Sequence, residues 1–149
     1  MIVPDVNVLI YATNADAPLH AAASKWWSSA LSGPESVGLA WLVVLGFVRI
    51  TTNHRIFAGA LTTDDALAVV DDWMGAGPVV MIEPTDRHWG IFKELIGEAG
   101  TAGNLTSDAH LAALAIEHGA TLCSTDRDFG RFAGLRWRNP LEPRRRRRV

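Results

Sequence analysis

Residues 104–129, NLTSDAHLAALAIEHGATLCSTDRDF, decide the fold. Ala109, Leu111, Ala112, Leu114, Ala115 and Ile116 recur as a broad apolar helical face. Thr106 or Ser107 is placed to cap the start of that helix, and Gly119 stands where a left-handed C-cap belongs. Ala120 to Ser124 is an apolar run of strand length, and Asp126 and Asp128 follow its carboxyl end. Asp108 falls in the first helical turn, where the helix dipole favours an anion. In open α/β sheets, sites form beyond the carboxyl ends of the strands. Helix and strand packed as neighbours therefore bring three carboxylates towards one point.

Working outward, Met1 to Pro4 reads as a short strand passing directly into a helix at Asp5-Val-Asn7, with Asp5 or Asn7 as its cap. From these residues alone Asp5 is equally well a plain N-cap or a site residue. His20 to Leu31 is an amphipathic helix whose adjacent Trp26 and Trp27 must face different ways, one into the core and the other free for a partner. Glu35 to Ala40 is a strand, followed by an almost wholly apolar helix over Trp41 to Thr52 that is either buried or paired with another subunit. Its single charge, Arg49, is either a paired structural arginine or faces the acidic site. Thr62 with Asp65 caps a helix running through Met74. Val79 to Ile82 reads as a second buried strand, and Pro84 to Asp86 opens a helix with Trp89, Phe92 and Leu95 at helical spacing. Arg131 to Trp137 gives a short helical turn and a last edge strand. Strands alternating with helices predict an α/β fold, a three-layer α/β/α sandwich with a central, mostly parallel sheet. Residues 1–141 form one domain in this reading, and 142–149 a basic, disordered tail.

Composition narrows the function classes. The chain has 149 residues, enough for one domain with a real core. The lone cysteine, Cys123, excludes an internal disulfide and points to the cytosol. The start, MIVPD, lacks the basic region of a signal peptide, and the longest uncharged run, Ser36 to Val48, is too short to span a bilayer. The net charge is −2, yet Arg144 to Arg148 contribute five positive charges, so the rest carries −2 minus 5, or −7. An acidic body does not attract nucleic acid by its overall field; such binding needs metal ions, local arginines or the tail.

Asp5, Asp108, Asp126 and Asp128 are the candidate site. Crowded carboxylates repel one another unless a cation neutralises them, and hard oxygen donors suit Mg2+ or Mn2+. Such an ion orients a water, lowers its pKa and stabilises charge on a scissile phosphate, which is the logic of a phosphodiesterase. The five histidines show no zinc spacing, and there is no P-loop or dinucleotide fingerprint. Receivers and aspartyl-nucleophile hydrolases need a lysine beside their carboxylates. The two lysines here, Lys25 and Lys93, are at no predicted strand end.

The segments VPDVNVLIYA (3–12), LGFVRITTN (45–53), TSDAHLAALAIEHGATLCSTDRDF (106–129) and Trp137 to Pro140 resemble the PIN domain, in particular the VapC-type toxins of bacterial toxin–antitoxin pairs. The resemblance implies a Mg2+-dependent endoribonuclease (Mn2+ being an alternative ion) that cleaves RNA and slows translation. It also implies homodimers and a cognate antitoxin laid across the active-site groove. By residue, it carries the acidic ligands onto Asp5, Asp108 and Asp126, makes Asp128 an accessory carboxylate, and sets Asn7 beside the first aspartate. Arg49 becomes a candidate phosphate contact. One position departs from the pattern. Many PIN nucleases carry a glutamate three residues before this arginine, and here that position is Gly46. Fewer carboxylates argue for one ion rather than two. They also motivate an alternative of a different class, a non-catalytic module that holds RNA or a peptide in the same groove.

Overall fold

The computed structural model describes residues 1–143; of the expected basic tail, 142–149, all but the first two residues lie outside the described residues. The chain runs β1 (Ile2–Pro4), α1 (Val6–Thr13), α2 (His20–Ser32), β2 (Val37–Ala40), α3 (Trp41–Thr51), α4 (Thr63–Gly75), β3 (Val79–Ile82), α5 (His88–Ala99), α6 (Thr106–Glu117), β4 (Thr121–Cys123) and β5 (Arg136–Arg138). Short 3-10 turns cover Gly103–Leu105 and Arg127–Arg131.

The five strands form one sheet in the order β3-β2-β1-β4-β5, and every pairing is parallel. Parallel strands must be joined by crossovers, and these are right-handed in nearly all proteins. Stepping from β1 to β2 to β3 moves one way along the sheet, and going from β3 to β4 moves back across β1. Crossovers of one hand therefore place α1–α4 on one face and α5–α6 on the other. The packing agrees: α1 contacts α2 and α3, α3 contacts α4, and α5 contacts α6. This is the expected three-layer sandwich. The direction of winding reverses between β1 and β4, whose register pairs Pro4 with Cys123. The crevice of such a sheet opens there, beyond both carboxyl ends.

Local chemistry accounts for most boundaries. Asp5 caps α1 by accepting a hydrogen bond from the Val6 amide at 2.7 Å. Thr62 caps α4 through the Asp65 amide at 3.1 Å. Gly119, at φ +62°, takes the left-handed conformation that turns α6 into β4. Val3, Leu39 and Leu122 are fully buried in the central strands. On the α1–α4 side, Trp73 meets Phe47 at 4.5 Å and Trp27 edge-on at 5.7 Å. Trp27 is thus the core member of the tryptophan pair, while Trp26 is half-buried against it.

Three expectations change. Strand β3 is an edge strand rather than a buried one, with Val80 exposed, because among the described residues nothing pairs beyond it. On α5 only Leu95 is buried; Trp89 is 65% exposed and stacks on Phe92 at 5.6 Å. Neither Thr106 nor Ser107 caps α6, whose N-cap is Leu105 without a side-chain bond, since the 3-10 turn feeds straight into the helix. No helix among the described residues is long and apolar enough to cross a membrane.

Candidate active site

The site is built where β1 and β4 end. Asp5 leaves β1 and Ser124 leaves β4, and Ser124 is completely buried. The Ser124 hydroxyl donates to Asp5 Oδ2 at 2.7 Å. It accepts from Asn7 Nδ2 at 3.2 Å and from the Asp126 amide at 3.0 Å. One hydroxyl therefore uses its single proton and both lone pairs to fix three site residues from two ends of the chain. Asp126 in turn accepts from the Asp128 amide at 2.9 Å and caps the 3-10 turn. Ser124 was absent from the candidates read off the sequence. The available signal was a hydroxyl at the strand end two residues before Asp126.

Asp108 reaches the same region from the first turn of α6, and Arg49 from α3. A groove of about 300 Å³ is lined by Asp5, Gly46, Arg49, Ser107 and Asp108 with an apolar wall that includes Leu42. Arg49 lines this groove, and among the described residues it makes no ion pair. A Cβ at Gly46 would meet only Val6 Cγ2, at 3.6 Å, so the position facing the groove has space for a side chain. Asp128 stands exposed, 3.6 Å from Arg131.

The electrostatics show carboxylates gathered without full compensation. Burial, opposed by the hydrogen bonds from Ser124 and Val6, raises the Asp5 carboxyl above its usual range, and the charge of Asp126 adds to the rise. Asp108 is pushed up to about 6, first by burial and then by the charges of Asp5, Asp126 and Asp128. Three negative neighbours acting on one carboxyl are what a bound cation relieves. The donors are all oxygen, which fits a hard divalent ion. Among the described residues no three acidic, histidine or cysteine side chains converge tightly enough to enclose an ion directly.

The sequence profile of the PIN domain matches residues 2–135. Ribonuclease VapC37 of Mycobacterium tuberculosis is 44% identical over 140 residues, covering 94% of this chain and 97% of the relative. Ribonuclease VapC33 of the same species is 41% identical over 141 residues, covering 95% and 99%. Among solved structures, VapBC2 from Rickettsia felis, bound to a DNA fragment from its promoter, superposes with a TM-score of 0.66 at 18% identity, covering 93% of this chain and 98% of that one. That last likeness speaks for the fold, whereas the identity and coverage of the first two reach the level of close relatives. With aspartates at the ends of β1 and β4 and on α6, the chain belongs to the PIN-domain family, among the VapC ribonucleases.

Proposed function

We propose that the chain is the toxin of a toxin–antitoxin pair, a Mg2+-dependent endoribonuclease that cleaves RNA phosphodiester bonds and thereby inhibits translation. The observation that carries this is a groove lined by Asp5, Asp108 and Arg49, in which the charges of Asp5, Asp126 and Asp128 act together on Asp108 and Arg49 has no ion pair among the described residues. Relatives at 41–44% identity named as ribonucleases support the same activity.

Asp5, Asp108 and Asp126 would hold the ion directly or through water, with Asp128 orienting water. The ion, Mg2+ or Mn2+, supplies a water of lowered pKa and neutralises charge on the scissile phosphate. The Arg49 guanidinium binds a phosphate oxygen pair and steers the backbone into the groove. Asn7, held against Ser124 through its side-chain nitrogen at 3.2 Å and only distantly, at 3.5 Å, through its carbonyl oxygen, would turn that oxygen to a substrate or water contact. Trp41 and Leu45, 48% and 62% exposed one turn apart on α3, are the apolar surface on which two copies would pair as a homodimer. An antitoxin would cover the groove, as the VapBC assembly among the structural neighbours suggests by analogy. The expected location is the cytoplasm, with no membrane partner.

A second reading has a specific observation behind it. Gly46 removes a side chain from the groove, and a non-catalytic RNA- or peptide-binding module would tolerate that loss. Purified protein incubated with total RNA or tRNA decides between them, with Mg2+ or Mn2+, with chelator, and beside Asp5→Asn. Discrete, metal-dependent fragments lost in the variant are expected. RNA binding that survives chelation without any cleavage would reject the nuclease in favour of the binding module.

A further inference from the structure

A second cleft lies across the start of α6 from the acidic groove, and Leu42 and Ser107 line both. It encloses about 380 Å³, towards the small end of ligand sites. One side is apolar and aromatic, with Trp89 stacked on Phe92 at an interplanar angle of 19°. The other is polar, made of Thr106, Ser107 and His110.

His110 is held by a buried chain of bonds that the proposed cleavage does not use. The Glu117 side chain, two helical turns below on α6, is fully buried. Its Oε1 accepts from the Thr85 amide and its Oε2 lies 2.5 Å from His88 Nδ1. His88 Nε2 lies 2.9 Å from His110 Nδ1. Both nitrogens of His88 and one of His110 are thus committed, and the His110 ring is fixed. The one buried side-chain nitrogen or oxygen without a partner among the described residues is Trp27 Nε1. His110 Nε2, which makes no hydrogen bond among the described residues, therefore opens to the cleft.

The geometry points to a nucleobase subsite in which the base of a nucleotide flanking the scissile phosphate lies against Trp89 and hydrogen-bonds His110 Nε2. This inference rests on the ribonuclease reading for its substrate class. Single-stranded RNA is read through bases that stack on aromatic rings and bond along their edges. The cleft offers one such face and one such edge, and its continuity with the acidic groove lets the backbone of the same strand run past Asp108 while its base turns aside. A second copy of this chain docking here would leave the polar edge and the fixed nitrogen unexplained.

The test uses the full chain carrying Asp5→Asn and single-stranded hexanucleotides with 2-aminopurine at each position in turn. Stacking quenches the probe's fluorescence. Quenching at one position is expected, with binding weakened about 5- to 100-fold by Trp89→Ala. Trp89 is exposed, so this truncation leaves the core intact, and unchanged melting curves verify it. An asparagine at 110 reaches only as far as Nδ1, so His110→Asn keeps the bond to His88 but empties the cleft. Glutamine reaches the Nε2 position. His110→Asn should therefore weaken quenching, and His110→Gln should restore it. Undiminished binding and quenching in both Trp89→Ala and His110→Asn, or no quenching at any position in the parent, overturns the subsite. So does a Trp89→Ala variant that merely converts a dimer to a monomer by light scattering while quenching persists. Cleavage by the chain with Asp5 intact, run on the same oligonucleotides, tests the nuclease separately, because the binding signal does not depend on turnover.

Discussion

The two walls of the acidic groove are made differently. On the β1/β4 wall, the groove residue Asp5 is tied to Asn7 and Asp126 through the buried Ser124 hydroxyl, by hydrogen bonds of 2.7–3.2 Å. On the α3/α6 wall, Asp108 and Arg49 make no side-chain hydrogen bond or ion pair among the described residues, and Gly46 offers no side chain at all. One wall is organised by the fold. The other keeps its charges uncommitted, to be organised by whatever enters the groove. Fixed donors avoid reorganisation during the reaction, whereas uncommitted ones hold their strength for the ligand.

That contrast yields predictions of decreasing size. Asp108→Asn should lower cleavage by about 100- to 1,000-fold while the melting temperature stays level or rises, since the substitution removes a carboxyl that its neighbours repel. Steady-state cleavage with a parallel thermal melt checks it, and a clear loss of stability would place Asp108 among the structural bonds instead. Ser124→Ala should do both kinds of damage, lowering activity or metal affinity about 10- to 100-fold and stability by about 1–3 kcal/mol, because Asp5 Oδ2 loses its buried donor. Denaturant titration and isothermal calorimetry separate the two effects, and a variant that loses neither would refute the assignment of the buried hydroxyl.

Gly46→Glu should tighten Mn2+ or Mg2+ binding by about tenfold by adding a carboxylate to the uncommitted wall. The new Cβ meets Val6 only at ordinary contact distance, and replacing a mid-helix glycine favours α3 by roughly 0.5–1 kcal/mol. Unaltered metal affinity by calorimetry would show that position 46 does not reach the ion. The smallest effect concerns pH. The Asp108 carboxyl sits at about 6 in the fold against 3.8 in the unfolded chain, so between these values the folded protein binds more protons. Stability of the metal-free protein should then fall as pH rises from about 4 through about 6, by on the order of 1 kcal/mol once solvent screening is allowed for. Melts across that range in chelator check the sign, and Mg2+ at neutral pH should restore the loss; a flat profile would mean that neither burial nor the neighbouring carboxylates raise the Asp108 carboxyl.

What the sequence disclosed follows from how locally each feature is encoded. The succession α6, Gly119, β4 and the Asp126 loop is continuous in the chain, and periodicity with one left-handed glycine suffices to read it. Asp5 as helix cap and as groove residue proved compatible, since one oxygen caps α1 and the other meets Ser124. The edge position of β3 was hidden because an apolar run reads the same in the middle of a sheet or at its margin. Ser124 and the Glu117–His88–His110 chain were hidden for another reason. Their partners lie 22 to 119 residues apart, and only the packing of α5 on α6 and of β1 on β4 makes them neighbours.

The central place of β1 has a consequence for synthesis. Of the five strands of this sheet β1 is made before the others, yet it is flanked by β2 and by β4, and Asp5 waits for a hydroxyl 119 positions later. Contacts of such separation form late, because closing a long loop opposes them. A growing chain therefore carries Asp5 and Arg49 but no finished groove until β4 and the Asp126 turn have emerged. The order of the strands acts as a timer, holding back the assembled carboxylates until β4 has been made.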